Sequence, residues 1–217
     1  TSVEAAVYAG LQAVAAGLAG RKWTRADGVE MRASICIVDA GWQTDTVYAF
    51  CRESPAAATL MPSHGRGVKA SQKPFAQLDR KPGDRFGFNW HIRAGVGRRA
   101  IRPVLFDSNW WKTFVHARLS VPPGAKMGLR LPGSDAAAHR MLAEHCTAEI
   151  RNRMKHEVSG RVADEWDQKP NTDNHLLDCL VGCAVGASVS GVSVPGTGDA
   201  APPKRPRAPG WTYIAGA

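Results

Sequence analysis

Three apolar runs in this chain carry an aspartate at or near one end. The first two, residues 35–38 and 104–106, lead directly into Asp39 and Asp107, and the third surrounds Asp178. The first two runs predict buried strands and the third a buried helix. A carboxylate at the edge of a core is costly unless it is paired, hydrogen-bonded or bound to a cation. Three such acids in a chain of this size predict a shared divalent metal site with Asp39, Asp107 and Asp178 as its ligands.

The charge of the chain indicates a polyanionic partner. Its 217 residues include 28 lysines and arginines against 19 aspartates and glutamates, a formal net charge of +9. Such a charge is typical of proteins that bind nucleic acid, although a soluble protein that is basic for other reasons fits it equally well. Together with the predicted metal site, it favours metal-dependent cleavage of nucleic acid. The sequence contains neither a P-loop for ATP nor a serine or cysteine nucleophile motif.

Cations concentrate between residues 64 and 102, where ten lysines and arginines face two aspartates and are interleaved with aromatic residues. We predict an extended loop or hairpin on the surface, with a strand over residues 86–92. Its cations would follow a DNA backbone with little reading of base sequence, so that binding depends strongly on salt. The residues expected to contact DNA are Arg66, Lys69, Lys73, Arg93, Arg98, Arg99 and Lys112.

Each candidate residue also has a purely structural interpretation. Asp39 and Asp107 precede predicted helices, so either side chain would serve as a helix N-cap. Asp178 would instead pair with a buried arginine. Lys112 is either a phosphate contact or a solvated lysine on a helix face. His175 lies one helical turn before Asp178 and is the histidine placed to approach the same site.

The apolar pattern predicts an α/β fold, because strands and helices alternate along the chain. We expect residues 1–192 to form one domain and residues 193–217, rich in proline and glycine and basic at 204–207, to be a disordered tail. Helices are predicted over residues 2–19, 44–51, 110–119, 136–145 and 172–190, and strands over 31–38, 104–107, 127–131, 148–156 and 161–168.

The five cysteines form no CxxC pair and no zinc-ligand spacing. That usage is typical of a reducing compartment rather than of a disulfide-stapled secreted fold. The sequence shows no signal-peptide layout and no apolar stretch of about 18 residues that would span a membrane. We therefore expect a soluble intracellular protein.

Four blocks of sequence, in order, resemble the large terminase subunits of lambda-like phages. They are VDAG with VYAFCR in residues 38–52, FDS with a lysine and Arg-Leu in residues 106–119, CTAE at the end of residues 142–149, and NHLLDC in residues 174–179. Four blocks in the family's order are far more specific than any one of them.

The resemblance implies the C-terminal nuclease domain of a DNA-packaging motor, with an RNase H-like fold that lacks its first strands. By motif match, Asp39 would be the acid at a strand end and Asp178 the acid on a late helix, with Asp107 at a third position. Two Mg²⁺ or Mn²⁺ ions would serve the cleavage of concatemeric double-stranded DNA. The implied partners are the terminase small subunit and the portal, and the implied location is the cytoplasm of the bacterial host.

Two other functions remain open from the sequence. A catalytically silent DNA-binding module would keep the basic segment and the tail, while its acids would serve as caps and ion-pair partners. A different RNase H-like enzyme, such as a resolvase or a transposase, would share the acids but would not predict the VYAFCR block.

Overall fold

The computed structural model describes residues 2–25, 27–95, 101–131, 133 and 135–192. Its helices are α1 (Val3–Ala19), α2 (Thr44–Glu53), α3 (Ser108–Leu119), α4 (Arg140–Cys146) and α5 (His175–Val189). Its strands are β1 (Trp23–Thr24), β2 (Glu30–Met31), β3 (Cys36–Asp39), β4 (Leu60–Arg66), β5 (Arg85–Gly87), β6 (Trp90–Ile92), β7 (Val104–Asp107), β8 (Glu149–Lys155) and β9 (Val162–Gln168).

The main sheet is mixed, with five strands in the order β3-β4-β7-β6-β5. Strands β3, β4 and β7 run parallel, whereas β6 is antiparallel to both β7 and β5. Strands β1 and β2 form a small separate ladder, and β8 and β9 form a long antiparallel hairpin. The predicted α/β class is thus confirmed as a mixed sheet with helices.

Helices cover both faces of this sheet. Ile37 packs against the core formed with α3 and α5, whereas its neighbour Val38 packs against the cluster formed with α1 and α2. Successive side chains of a strand point to opposite faces, so the α5 face of β3 carries Ile35, Ile37 and then Asp39. This alternation directs the first candidate acid toward helix α5.

The larger core lies between the sheet and the helices α3 and α5. Trp111, Leu177 and Val185 are all fully buried within it. Helix α5 was predicted to be buried all round, but Cys179 and Cys183 are exposed, so only one side of the helix is covered. No helix among the described residues combines the length and apolar character needed to cross a bilayer.

Several predicted elements are confirmed. Helices α1, α2, α3 and α5 lie within a few residues of their predicted bounds, and β8 and β9 pair as a hairpin closed near Gly160, which has φ of 66°. The segment predicted as a helix over residues 136–145 consists of a 3₁₀ turn, Ala136–His139, followed by α4.

Other predictions about strands are wrong, and one strand of the main sheet was missed. Residues 127–131 form no strand, and residues 86–92 form not one strand but the hairpin of β5 and β6, which reverses at Asn89 with φ of 50°. Strand β4 was not predicted, because Pro62 and Gly65 interrupt its pattern. The basic segment therefore contributes three strands to the main sheet rather than a surface loop alone. Arg98, Arg99 and the predicted tail lie outside the described residues.

The buried His91 on β6 predicts that the stability of the fold depends on pH. The ring is 4% exposed, packs between Phe75 and Phe86, and neither nitrogen has a hydrogen-bond partner among the described residues. Burial lowers the pKa of His91, and the charges of Arg93 and Arg66 act in the same direction against that of Asp84.

Because the unfolded chain binds this proton more readily than the folded chain, the free energy of unfolding should fall as the pH drops below about 6.5. Burial also lowers the pKa of His116, so His91→Phe should remove only part of this slope. Thermal melting between pH 8 and pH 5 measures this slope. His156→Phe, in the β8–β9 turn, is the matched control and should leave the slope unchanged. An unchanged slope in His91→Phe would contradict the expectation.

Candidate functional site

Asp39 ends strand β3 with its side chain exposed to solvent. Its Oδ1 accepts a hydrogen bond from the backbone N–H of Gly41 at 3.2 Å, and a Cβ added at Gly41 would lie 3.4 Å from Oδ2. Glycine at this position keeps the carboxylate accessible. Helix α2 begins only at Thr44 and has Gln43 as its N-cap. The interpretation of Asp39 as the cap of α2 is therefore wrong.

Asp178 lies in the first turn of α5, the helix that packs on the face of β3 that carries Asp39. A Cβ added at Gly186 of α5 would lie 3.4 Å from Ile35 and 3.5 Å from Ile37. Asp178 precedes Gly186 by about two helical turns, while Asp39 follows Ile37 on the same face of β3. Burial raises the pKa of Asp178, the nearby Lys112 opposes that rise, and the charges of Glu149 and, to a lesser extent, Asp39 add to it.

Lys112 of α3 is bound to two acids. Its Nζ lies 2.5 Å from Oε1 of Glu149 and 3.2 Å from Oδ1 of Asp178, and its side chain is only 12% exposed. The interpretation of Lys112 as a solvated lysine on a helix face is therefore wrong. The partner of Asp178 is this lysine rather than an arginine, so that alternative is wrong as well.

Glu149 is a site residue that the sequence analysis did not select. It begins β8, its side chain is 2% exposed, and its Oε1 accepts hydrogen bonds from Lys112 and from Asn174 Nδ2, each at 2.5 Å. Its Oε2 is buried and has no hydrogen-bond partner among the described residues. The sequence signal for Glu149 was the CTAE block, whose resemblance to the family assigned no role to this residue.

The structure places Asp107 apart from this pair. In the sheet register Asp39 pairs with Ser63 of β4, whereas Asp107 pairs with Arg66 of the same strand. Asp107 therefore lies two strands across, about 10 Å, and three residues further along, about 10 Å, from Asp39. It does not join a ligand set with the other two acids.

Asp107 caps a helix, as its structural interpretation predicted. Its Oδ1 accepts hydrogen bonds from the backbone N–H groups of Asn109, Trp110 and Val68, at 3.1, 3.3 and 3.3 Å. Burial raises the pKa of Asp107 and these three donors oppose the rise. The side chain lines a cavity of about 270 Å³ between α3 and the β8–β9 hairpin.

The remaining predicted site residues are His175 and the cations expected to bind DNA. His175 is 78% exposed and lies 3.7 Å from Asp173, so it does not reach the acidic pair. Arg66, Lys69, Lys73 and Arg93 are all exposed, on β4, on the segment that follows it and beyond β6. Arg98 and Arg99 lie outside the described residues.

The donor set fits a divalent cation only in part. Asp39 and Asp178 offer exposed carboxylate oxygens, which are the ligands that Mg²⁺ and Mn²⁺ prefer. No group of three histidine, cysteine, aspartate or glutamate side chains surrounds one point in the part of the chain that the structure describes. Another acid of this region, Glu149, is bound to Lys112. The predicted ligands that remain are therefore Asp39 and Asp178, and Asp178 lies beside the ammonium group of Lys112.

The chain is thus a basic α/β protein with exposed acids at the end of a parallel strand and in the first turn of a helix. The model of one protein family, described as the endonuclease domain of the terminase large subunit gpA, matches residues 5–197. The chain belongs to this family. Membership implies an endonuclease domain of a DNA-packaging enzyme, with divalent-metal dependence in general. No curated protein and no solved structure matches the chain.

Proposed function

We propose that this chain is a metal-dependent DNA endonuclease domain that cleaves concatemeric double-stranded DNA during phage genome packaging. The proposal is supported by the packing of α5 on the face of β3 that carries Asp39, where a Cβ added at Gly186 would lie 3.4 Å from Ile35, and by the charge of Asp39, which adds to the raised pKa of Asp178 after burial and the charge of Glu149. Two carboxylates held together in this way are stabilised when a cation binds between them.

Asp39 and Asp178 would hold the ion, Mg²⁺ or Mn²⁺. When bound, a divalent ion lowers the pKa of a coordinated water and stabilises negative charge on a phosphoryl oxygen. Asp39 would take the open side of the site, because the N–H of Gly41 is the one donor to its side chain within the described part of the chain. Asp178 is held in position by Lys112 at 3.2 Å. Asp107 takes no part in this ligand set, since its Oδ1 caps α3.

The exposed cations would bind the DNA backbone. Four of these cations lie on β4, in the loop after it or just beyond β6, namely Arg66, Lys69, Lys73 and Arg93. Arg98 and Arg99 follow Arg93 in sequence. Lysine and arginine contacts to phosphate release counterions, so the affinity should fall steeply with salt and vary little with base sequence.

The arrangement of the fold supports an RNase H-like interpretation as part of the proposal. A mixed sheet covered on both faces, an acid at the end of a parallel strand and a second acid on the last helix all fit that fold. By family membership, the terminase small subunit and the portal are the proposed protein partners, and the host bacterial cytoplasm is the proposed place of action.

Nicking of supercoiled plasmid by the purified chain tests the proposal. We expect relaxed and linear products with Mg²⁺ or Mn²⁺ and none with a chelator in excess, because two carboxylates without an ion provide no activated water. The variant Asp39→Asn controls for contaminating nuclease, since its preparation should lack the activity. Salt-dependent DNA binding without any metal-dependent cleavage would instead identify a silent DNA-binding module.

A further inference from the structure

We infer that the ammonium group of Lys112 takes the place of one of the two cations expected at this site, so that the wild-type chain binds a single divalent ion. The inference rests on the proposed function, because it concerns the same acids. It assigns Lys112 a role at the ion site itself rather than on the DNA-binding surface.

The ammonium group of Lys112 makes the contacts that a bound metal cation would make between these two acids. One Nζ atom lies 2.5 Å from Glu149 and 3.2 Å from Asp178, on side chains contributed by β8 and α5. Its own side chain is 12% exposed, and that of Glu149 is 2% exposed. A buried acid requires a compensating charge, and here a covalently attached ammonium provides it.

The ligands that remain fit one ion rather than two. Oε1 of Glu149 is already engaged by Lys112 and by Asn174, each at 2.5 Å. Oδ1 of Asp178 contacts Lys112. A second divalent ion between Asp178 and Glu149 would have to occupy the position of Nζ, or lie within a few ångströms of it against like charge. Within the described part of the chain, the oxygens that remain are Oδ2 of Asp39, whose Oδ1 accepts the N–H of Gly41, and Oδ2 of Asp178.

The same geometry predicts what removal of the lysine would create. Glu149 and Asp178 would lose their shared partner, and Oε2 of Glu149 already lacks a hydrogen-bond partner among the described residues. Two carboxylates that flank the position of a former ammonium group are placed to accept a divalent cation there. Lys112→Met keeps most of the side-chain volume while it removes the charge.

Counting bound Mn²⁺ tests the inference without any measurement of cleavage. The free-ion electron paramagnetic resonance signal, recorded while the 217-residue chain is titrated, gives the number of ions bound per chain. We expect one ion for the wild type, two for Lys112→Met, and one for the double variant Lys112→Met/Glu149→Gln. Lys155→Met, an exposed lysine on β8, is the matched control and should bind one ion.

Glu149→Gln keeps the test decisive if Lys112→Met does not fold, as judged by circular dichroism. The inference predicts one ion for Glu149→Gln, because Glu149 is no ligand while Lys112 is present. Two ions in the wild type, or one ion in a folded Lys112→Met, would overturn it. Two ions together with metal-dependent nicking would leave the proposed function standing, whereas no Mn²⁺ binding at all would overturn both.

Discussion

Asp178→Asn should lose metal-dependent nicking of plasmid DNA almost entirely. Asparagine keeps the shape of the side chain but removes one of the two charges proposed to hold the ion. A divalent ion provides several kcal/mol of transition-state charge stabilisation, and each 1.36 kcal/mol corresponds to a factor of ten in rate. We therefore expect a loss of about 100-fold or more in the nicking rate at saturating Mn²⁺.

Asp167→Asn is the matched control for this substitution. Asp167 lies on β9, opposite Ile150 of β8, and its Oδ2 accepts a hydrogen bond from Nδ2 of Asn152 at the surface. The control should cleave at the wild-type rate, and both variants should show the far-ultraviolet circular dichroism of the folded chain. Wild-type activity in Asp178→Asn would remove this residue from the ion site and with it the proposed pair.

Trp111→Ala should destabilise the fold more than any surface change. Its indole is fully buried in the core between α3, α5 and the sheet, in ring contact with Trp110 and Phe114. Removal of a buried tryptophan side chain costs about 3–5 kcal/mol, because apolar contacts are lost and a cavity remains. Urea denaturation at pH 7.5 measures the change in the free energy of unfolding.

Trp42 provides the control for Trp111→Ala, because the same substitution there removes an exposed side chain. Trp42 is 65% exposed on the loop between β3 and α2 and makes no ring contact or hydrogen bond within the described part of the chain. Trp42→Ala should change the free energy of unfolding by no more than about 0.5 kcal/mol. Equal effects of the two substitutions would contradict the core described between α3 and α5.

Local signals in the sequence predicted much of the fold. Ser2, whose Oγ accepts the N–H of Ala5, begins α1 at the predicted position, and β8 and β9 match the two strands predicted on either side of Gly160. Strand β4 escaped prediction because Pro62 interrupts the apolar pattern. The segment of β5 and β6 was predicted as a loop or hairpin, but the turn within residues 86–92 was missed because it depends on Asn89, which adopts a left-handed conformation without a neighbouring glycine.

For the site, the sequence by itself determined that Asp39 and Asp107 follow apolar strands and that Asp178 lies in an apolar helix. Those assignments depend on the periodicity of near neighbours. Only the tertiary structure decided that Asp107 caps α3 while α5 packs on the face of β3 that carries Asp39, because strand register and helix crossing set distances between remote residues. It likewise decided that Lys112 and Glu149 form an ion pair beside Asp178. Three separate elements must pack together before that contact exists, and no local pattern encodes it.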